Sequence, residues 1–252
     1  WNRRGEVIRK VGEQPSAEGT PIGGVTVGPR SVRWNPVEPS TLVWVEALDQ
    51  GNPRNRVPFR DTLLTIKAPF AGEPVESLKS EWRFGSLSWT EKGVVFMSES
   101  DRATRMTRTW IVDAPGATPR NWQERRSADR YRDPGSLVSR TGSGGSGGRR
   151  GGGGGGKIMQ VGDTVYLQGD GASPAGDRPF LDRLNLKTLA SERVFQCDDK
   201  SFETVTAVLG DDGKKLLTRW ETKTDFPNYF LRDLTAGTKS AVTPGMAHNP
   251  PR

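Results

Sequence analysis

Pairs of short apolar strands recur along this chain at nearly fixed spacing, and that recurrence restricts the fold most. Four β-rich runs open the pairs: Thr41–Ala47, Gly93–Ser98, Thr164–Gln168 and Lys214–Trp220. Each is followed by a polar loop and a second run: Asp61–Lys67, Thr107–Asp113, Pro179–Leu186 and Asn228–Leu234. The second runs start about 46, 72 and 49 residues apart, and the long interval contains the tract Gly142–Gly156. Without that tract the period stays near 50, with several strands per unit, which is the signature of β-propeller blades. Pro and Gly are scattered between the runs and leave little room for helices, so many short strands with turns between them predict an all-β fold.

The remaining strands of a blade can be placed around these pairs. Ser31–Trp34, Ser86–Trp89 and Thr204–Val208 read as innermost strands. The first two share a Ser-x-x-Trp pattern ahead of a turn rich in Gly, Asn or Pro, residues that supply turn backbone angles. Outer strands are expected at Val75–Leu78, Trp122–Arg125, Ser191–Phe195 and Lys239–Val242. The tryptophans are assigned to packing between blades, because large aromatics mostly serve cores. The reading is about four blades of four antiparallel strands over 21–243, the later part of a larger propeller. Residues 1–20 read as the remnant of a preceding blade, 141–156 as a flexible glycine-rich insert, and 244–252 as a disordered tail. The chain opens on Trp1, which suggests a fragment, a processed product or a trimmed piece.

Composition excludes several kinds of function. The chain has 252 residues, one Cys and one His. Cys197 alone cannot make an internal disulfide or a cysteine metal site, and His248 alone makes histidine-dependent catalysis or a histidine metal centre improbable. No metal and no cofactor is expected. No apolar run is long enough for a membrane-spanning helix, and no signal peptide is visible. The net charge is +7, and most of the excess lies in residues 120–150, beside the glycine tract. A nucleic-acid binder spreads its charge along a face or groove, so this segment reads as a solvated loop.

The glycine tract matches three catalytic strings by chance. Gly144-Gly-Ser146-Gly-Gly148 fits a nucleophile elbow, Gly142, Gly144 and Gly147 fit a dinucleotide fingerprint, and Gly151–Lys157 nearly fits a phosphate loop. Each motif needs a strand before it and a helix after it, and consecutive glycines favour neither. The tract reads as a linker. An alternative is RNA binding through Arg149 and Arg150, but no aromatic is interleaved to stack on bases.

Several segments carry a resemblance. Val27–Pro36, Thr41–Arg54, Ala68–Pro74, Asp129–Gly135, Gly171–Asp182 and Pro227–Leu234 resemble the propeller of glutamyl-endopeptidase-like serine peptidases of the prolyl oligopeptidase family. The resemblance runs from about residue 20 to about 243. It implies a propeller that caps a C-terminal α/β-hydrolase domain bearing a Ser–Asp–His triad, and a peptide substrate reached through that domain. It also implies export, as to a bacterial periplasm. The family's nucleophile segment is absent, so no residue is carried over as catalytic, and the chain alone should be inactive. Ser146 with His248 is no substitute, because a nucleophile and its base must be held within hydrogen-bond reach.

The resemblance further implies a gating role. The loops between second and third strands lie on one face of a propeller, and they carry Arg54, Arg56, Arg102, Arg105 and Arg178. One reading is that these arginines line a substrate channel and draw in acidic peptides by electrostatic focusing. The other is that they pair with neighbouring acids on the rim. A second functional class also stands: a self-contained propeller used as a binding scaffold.

Overall fold

The computed structural model describes residues 4–7, 9–10, 12–13, 16–140 and 156–243. Trp1, nearly all of the glycine tract with Ser146, Arg149 and Arg150, and the tail with His248 lie outside the described residues. The described residues contain no α-helix and one 3-10 turn, Ala17–Gly19. No helix among them is long and apolar enough to cross a membrane.

The chain is an all-β, β-propeller-type protein built from four-stranded antiparallel blades. It divides between Ala128 and Asp129 into two compact units, each holding two blades. In the first unit, one sheet runs β1 (Arg30–Trp34), β2 (Thr41–Ala47), β3 (Asp61–Lys67) and β4 (Val75–Ser80) in spatial order. The other runs β5 (Arg83–Trp89), β6 (Val95–Asp101), β7 (Met106–Val112) and β8 (Arg120–Arg126). Alternation along the strands sends successive side chains to opposite faces of each sheet. Val43, Val45 and Leu63 of the first sheet pack on Leu87, Trp89 and Met97 of the second.

In the second unit, the third sheet contains β9 (Ser136–Leu137), β10 (Gln160–Val161), β11 (Thr164–Gly169), β14 (Phe180–Asn185) and β15 (Ser191–Gln196). A two-stranded ribbon, β12 (Ala172–Ser173) and β13 (Gly176–Asp177), rises from its β11–β14 loop. The fourth sheet runs β16 (Phe202–Leu209), β17 (Lys215–Glu221), β18 (Asn228–Asp233) and β19 (Thr238–Ala241). Tyr166, Leu181 and Phe195 of the third sheet pack on Val205, Val208 and Leu216 of the fourth, with Val138 and Met159 in the same core.

Every strand expected between residues 21 and 243 is present within a few residues, whereas the described residues of 1–20, read as a blade remnant, contain only the turn Ala17–Gly19. The first strand of the third sheet had not been read, and its construction explains the long interval in the repeat. β9 and β10 pair with opposite ends of the same edge of β11. Ser139 and Ile158 bridge them, and Met159 donates its N–H to Val138 O at 2.9 Å. One inner strand is therefore interrupted between Val138 and Ile158, and both of these residues are buried. The insert enters at a sheet edge, where leaving the ladder costs few hydrogen bonds.

Each sheet also buries a carboxylate against an arginine. In the fourth sheet Glu203, 2% exposed, accepts bonds from Arg232 at 2.7 and 2.6 Å and from the Thr218 hydroxyl at 2.6 Å. Lys239 stands 3.3 Å away. Burial alone would raise the Glu203 pKa, but the bonds from Arg232 and Thr218 and the two positive charges outweigh it, and the carboxyl titrates below its ordinary value. A folded-state pKa below the unfolded one gives stability that is complete above the unfolded value, about 4.3, and is lost as pH falls through the folded value. Glu203→Gln should therefore destabilise the protein more at pH 7 than at pH 3 in urea unfolding. An equal penalty at both would contradict this account.

Candidate functional site

Among the described residues no cluster of three or more His, Cys, Asp or Glu could hold a metal. The chemistry-bearing feature that the fold builds in the first unit is a basic end, formed by the β2–β3 loop and the β6–β7 loop.

The β2–β3 loop is anchored by two buried acids at its ends. Asp49 accepts bonds from Gly51 N at 3.0 Å and from Arg60 at 2.9 Å, and it pairs with Arg83. Its carbonyl takes the Asn55 side-chain amide at 2.9 Å. Asp61 pairs with Arg30, with Arg83 at 2.7 Å, and with the Phe84 N–H at 2.7 Å. Arg83 opens β5, so one guanidinium spans both acids and joins the first sheet to the second. Burial pulls the Arg30 pKa down, opposed by the Asp61 charge. Charged pairs of this kind are costly to desolvate and costly to break.

The β6–β7 loop is a tight turn. The Asp101 carboxylate accepts bonds from the Thr104 hydroxyl at 2.7 Å and from the N–H groups of Ala103 and Thr104. The Thr104 hydroxyl leads the causes that hold its pKa below the usual range, and the Arg60 charge contributes. Arg105 closes the turn at φ 58°, a left-handed conformation unusual for a residue with a Cβ, and its carbonyl accepts the Ser127 N–H at 2.9 Å.

The segment Pro21–Gly28 runs from one loop to the other. Val25 N–H bonds Gly51 O at 3.0 Å, and a Cβ placed on Gly23 would lie 3.0 Å from Arg102 Nη1. Gly51 is required here. It sits at φ +71°, and a Cβ would fall 2.0 Å from Val25 O.

On this scaffold Arg54, Arg56, Arg102 and Arg105 are exposed. Among the described residues none of the four makes an ion pair. Arg178 lies in the second unit, exposed in the β11–β14 loop, where its Nε–H donates to Cys197 O at 3.0 Å. Four of the five arginines are thus placed at one end of one unit, and the fifth belongs to another. The sequence reading missed Asp49, Asp61, Arg30, Arg60 and Arg83. The available signal was an acid at each end of the same loop, each directly beside an apolar strand.

Exposed guanidiniums carry planar, charged donor sets of the kind that recognise anions. Arg83→Leu should leave Asp49 and Asp61 buried with less compensation and cost about 3–5 kcal/mol. Arg54→Gln should stay within about 0.5 kcal/mol of the parent. Urea midpoints of the two variants check this, and an Arg83→Leu protein as stable as the parent would refute the clamp.

No family model matches the chain. A probable chloroplastic glutamyl endopeptidase of Oryza sativa subsp. japonica is 36% identical over 250 residues, covering 92% of this chain and 26% of that protein. The corresponding protein of Arabidopsis thaliana is 36% identical over 248 residues, covering 92% and 25%. The chain therefore spans about a quarter of the length of the curated relatives it matches. Among solved structures, prolyl oligopeptidase B of Galerina marginata aligns with a TM-score of 0.47 at 10% identity, over 81% of this chain and 26% of that one. The β-propeller domain of the Trilobed protease of Pyrococcus furiosus aligns at 0.44 and 9%, over 87% and 57%.

Proposed function

From a chain that is glutamyl-endopeptidase-like through 92% of its length, we propose a non-catalytic propeller portion of a serine peptidase that gates peptide access to a hydrolase domain. The identity to the two plant proteins carries this reading. The hydrolase domain is a partner supplied by the longer polypeptide, and the substrate is a peptide.

The exposed arginines give the gate a charge preference. Arg54, Arg56, Arg102 and Arg105 present unpaired positive charge from loops held by buried anchors. Arg178 adds one from the second unit. Such charge raises the local concentration of acidic peptides and speeds their arrival, an effect that salt screens. Because the groups are solvent-exposed, each contributes a small binding term, and the preference comes from their sum.

The test is binding of a glutamate-rich peptide to the 252-residue chain at low salt, followed by fluorescence anisotropy. Replacing Arg54, Arg56, Arg102 and Arg105 together by Gln should weaken binding by about tenfold or more, and the difference should shrink in a few hundred millimolar salt. A neutral peptide should bind both proteins alike. Equal binding of the acidic peptide by parent and variant would sink the charge preference.

A further inference from the structure

In the first unit the segment Pro21–Gly28 carries a tight turn whose tip is Ile22. Gly24 donates its N–H to Pro21 O at 2.8 Å, which closes the turn over Ile22 and Gly23. Gly23 takes φ +75°, the left-handed value that a type II turn requires at its third residue. A Cβ on Gly24 would fall 2.3 Å from Gly51 O, so the turn lies directly on the β2–β3 loop. Ile22 is held out at 95% exposure. It adjoins Gly23, whose added Cβ would meet Arg102 Nη1 at 3.0 Å. An Ile left in water contributes no burial to folding, and a polar residue would serve this place in the turn equally well.

Ile22 is not isolated. Val27 of the same segment and Leu48 and Phe59 of the β2–β3 loop are also exposed. Arg54 and Arg56 lie between Leu48 and Phe59. The segment Pro21–Gly28 contains no acid, and the one acid between Leu48 and Phe59 is the buried Asp49. The two segments thus present apolar side chains interleaved with guanidiniums and no exposed acid. The second unit opens in the same way. Asp133 donates its N–H to Arg130 O at 3.4 Å, Tyr131 at the tip of that turn is 68% exposed, and the exposed Arg130 and Arg132 flank it. A Cβ on Gly135 of that segment would fall 2.4 Å from Gln168 O, near the end of β11.

We propose that the basic end of the first unit selects acidic peptides that carry an apolar side chain among their carboxylates, and that Ile22 is the residue that receives that side chain. Exposed guanidiniums attract carboxylates weakly in water, and salt screens the attraction. Charge therefore gathers the ligand, whereas an apolar contact supplies a hold that salt does not screen. Arginine set among apolar anchors is also the composition of protein-binding surfaces. A nucleic acid fits less well, because Ile22 offers no ring on which a base could stack. The ligand class comes from the peptide gate proposed above; what is added is the feature that selects among acidic peptides.

Two glutamate-rich peptides test it, identical except for a central Leu in one and a central Ser in the other, with binding to the 252-residue chain followed by fluorescence anisotropy. The parent should bind the Leu peptide about fivefold more tightly or better, and the ratio should persist in a few hundred millimolar salt while both affinities fall. Ile22→Ser, a change at an exposed turn tip, should abolish the ratio and leave the Ser peptide unaffected; Ile22→Leu should keep it. Equal binding of the two peptides by the parent, or a ratio unchanged in Ile22→Ser, would overturn the proposal. So would a short oligothymidylate that binds the parent more tightly than the Leu peptide does. The charge preference fails separately: if Gln at positions 54, 56, 102 and 105 leaves the Ser peptide unaffected, that reading is lost, while a Leu preference that Ile22→Ser removes still supports the role of Ile22.

Discussion

A buried carboxylate held by arginine is the interaction on which each blade depends. Asp61 takes Arg30 and Arg83, Glu99 takes Arg108, Asp182 takes Arg193, and Glu203 takes Arg232. Three of these arginines also lie over aromatic rings: Arg108 over Trp82 at 3.8 Å, Arg193 over Phe180 at 4.0 Å and Arg232 over Phe195 at 5.3 Å. Stacking and planar hydrogen bonding use different parts of the guanidinium, so one side chain joins an apolar layer to a polar one. Such pairs add little net stability over apolar residues of the same volume, but a mispaired arrangement leaves a buried charge uncompensated. They act mainly on uniqueness: a strand shifted by one residue would separate acid from base and turn its apolar side chains outward.

The same pairs decide where positive charge appears on the surface. Asp49 and Asp61 are taken up by Arg30, Arg60 and Arg83 and by the N–H groups of Gly51 and Phe84, so neither pairs with Arg54 or Arg56. Asp101 spends its carboxylate on its own turn. The acids near the β2–β3 and β6–β7 loops are therefore committed to structure, and Arg54, Arg56, Arg102 and Arg105 are left to solvent. A modest net excess of base becomes a local basic end because the neutralising acids face inward.

Strand positions were legible in the sequence because alternation and turn residues are local signals. Thr41–Ala47 and Asp61–Lys67 coincide with β2 and β3 residue for residue. The interrupted inner strand of the third sheet was not legible. Ser136–Leu137 and Gln160–Val161 are too short to show a period, and only pairing to β11 makes them one edge. The arginines of the candidate site were legible as loop residues, whereas their pairing state was not. An Arg such as Arg60 and one such as Arg56 look alike in sequence. The difference is a carboxylate brought near by the path of the loop: Asp49 stands 2.9 Å from Arg60, and among the described residues none pairs with Arg56.

Rigidity links the blade interior to the loops. The β2–β3 loop is fixed at Asp49 and Asp61, and its Gly51 is crossed by the Pro21–Gly28 segment so closely that no side chain fits. The β6–β7 loop is closed within five residues by Asp101 and Arg105. Loops held in this way lose less conformational entropy when a ligand arrives than free loops would. Exposed guanidiniums gain only weak attraction in water, so such a site works only if ordering its backbone adds no further cost. For the acidic-peptide binding proposed above, the buried acid–arginine clamp would meet that condition with residues set back from the exposed guanidiniums.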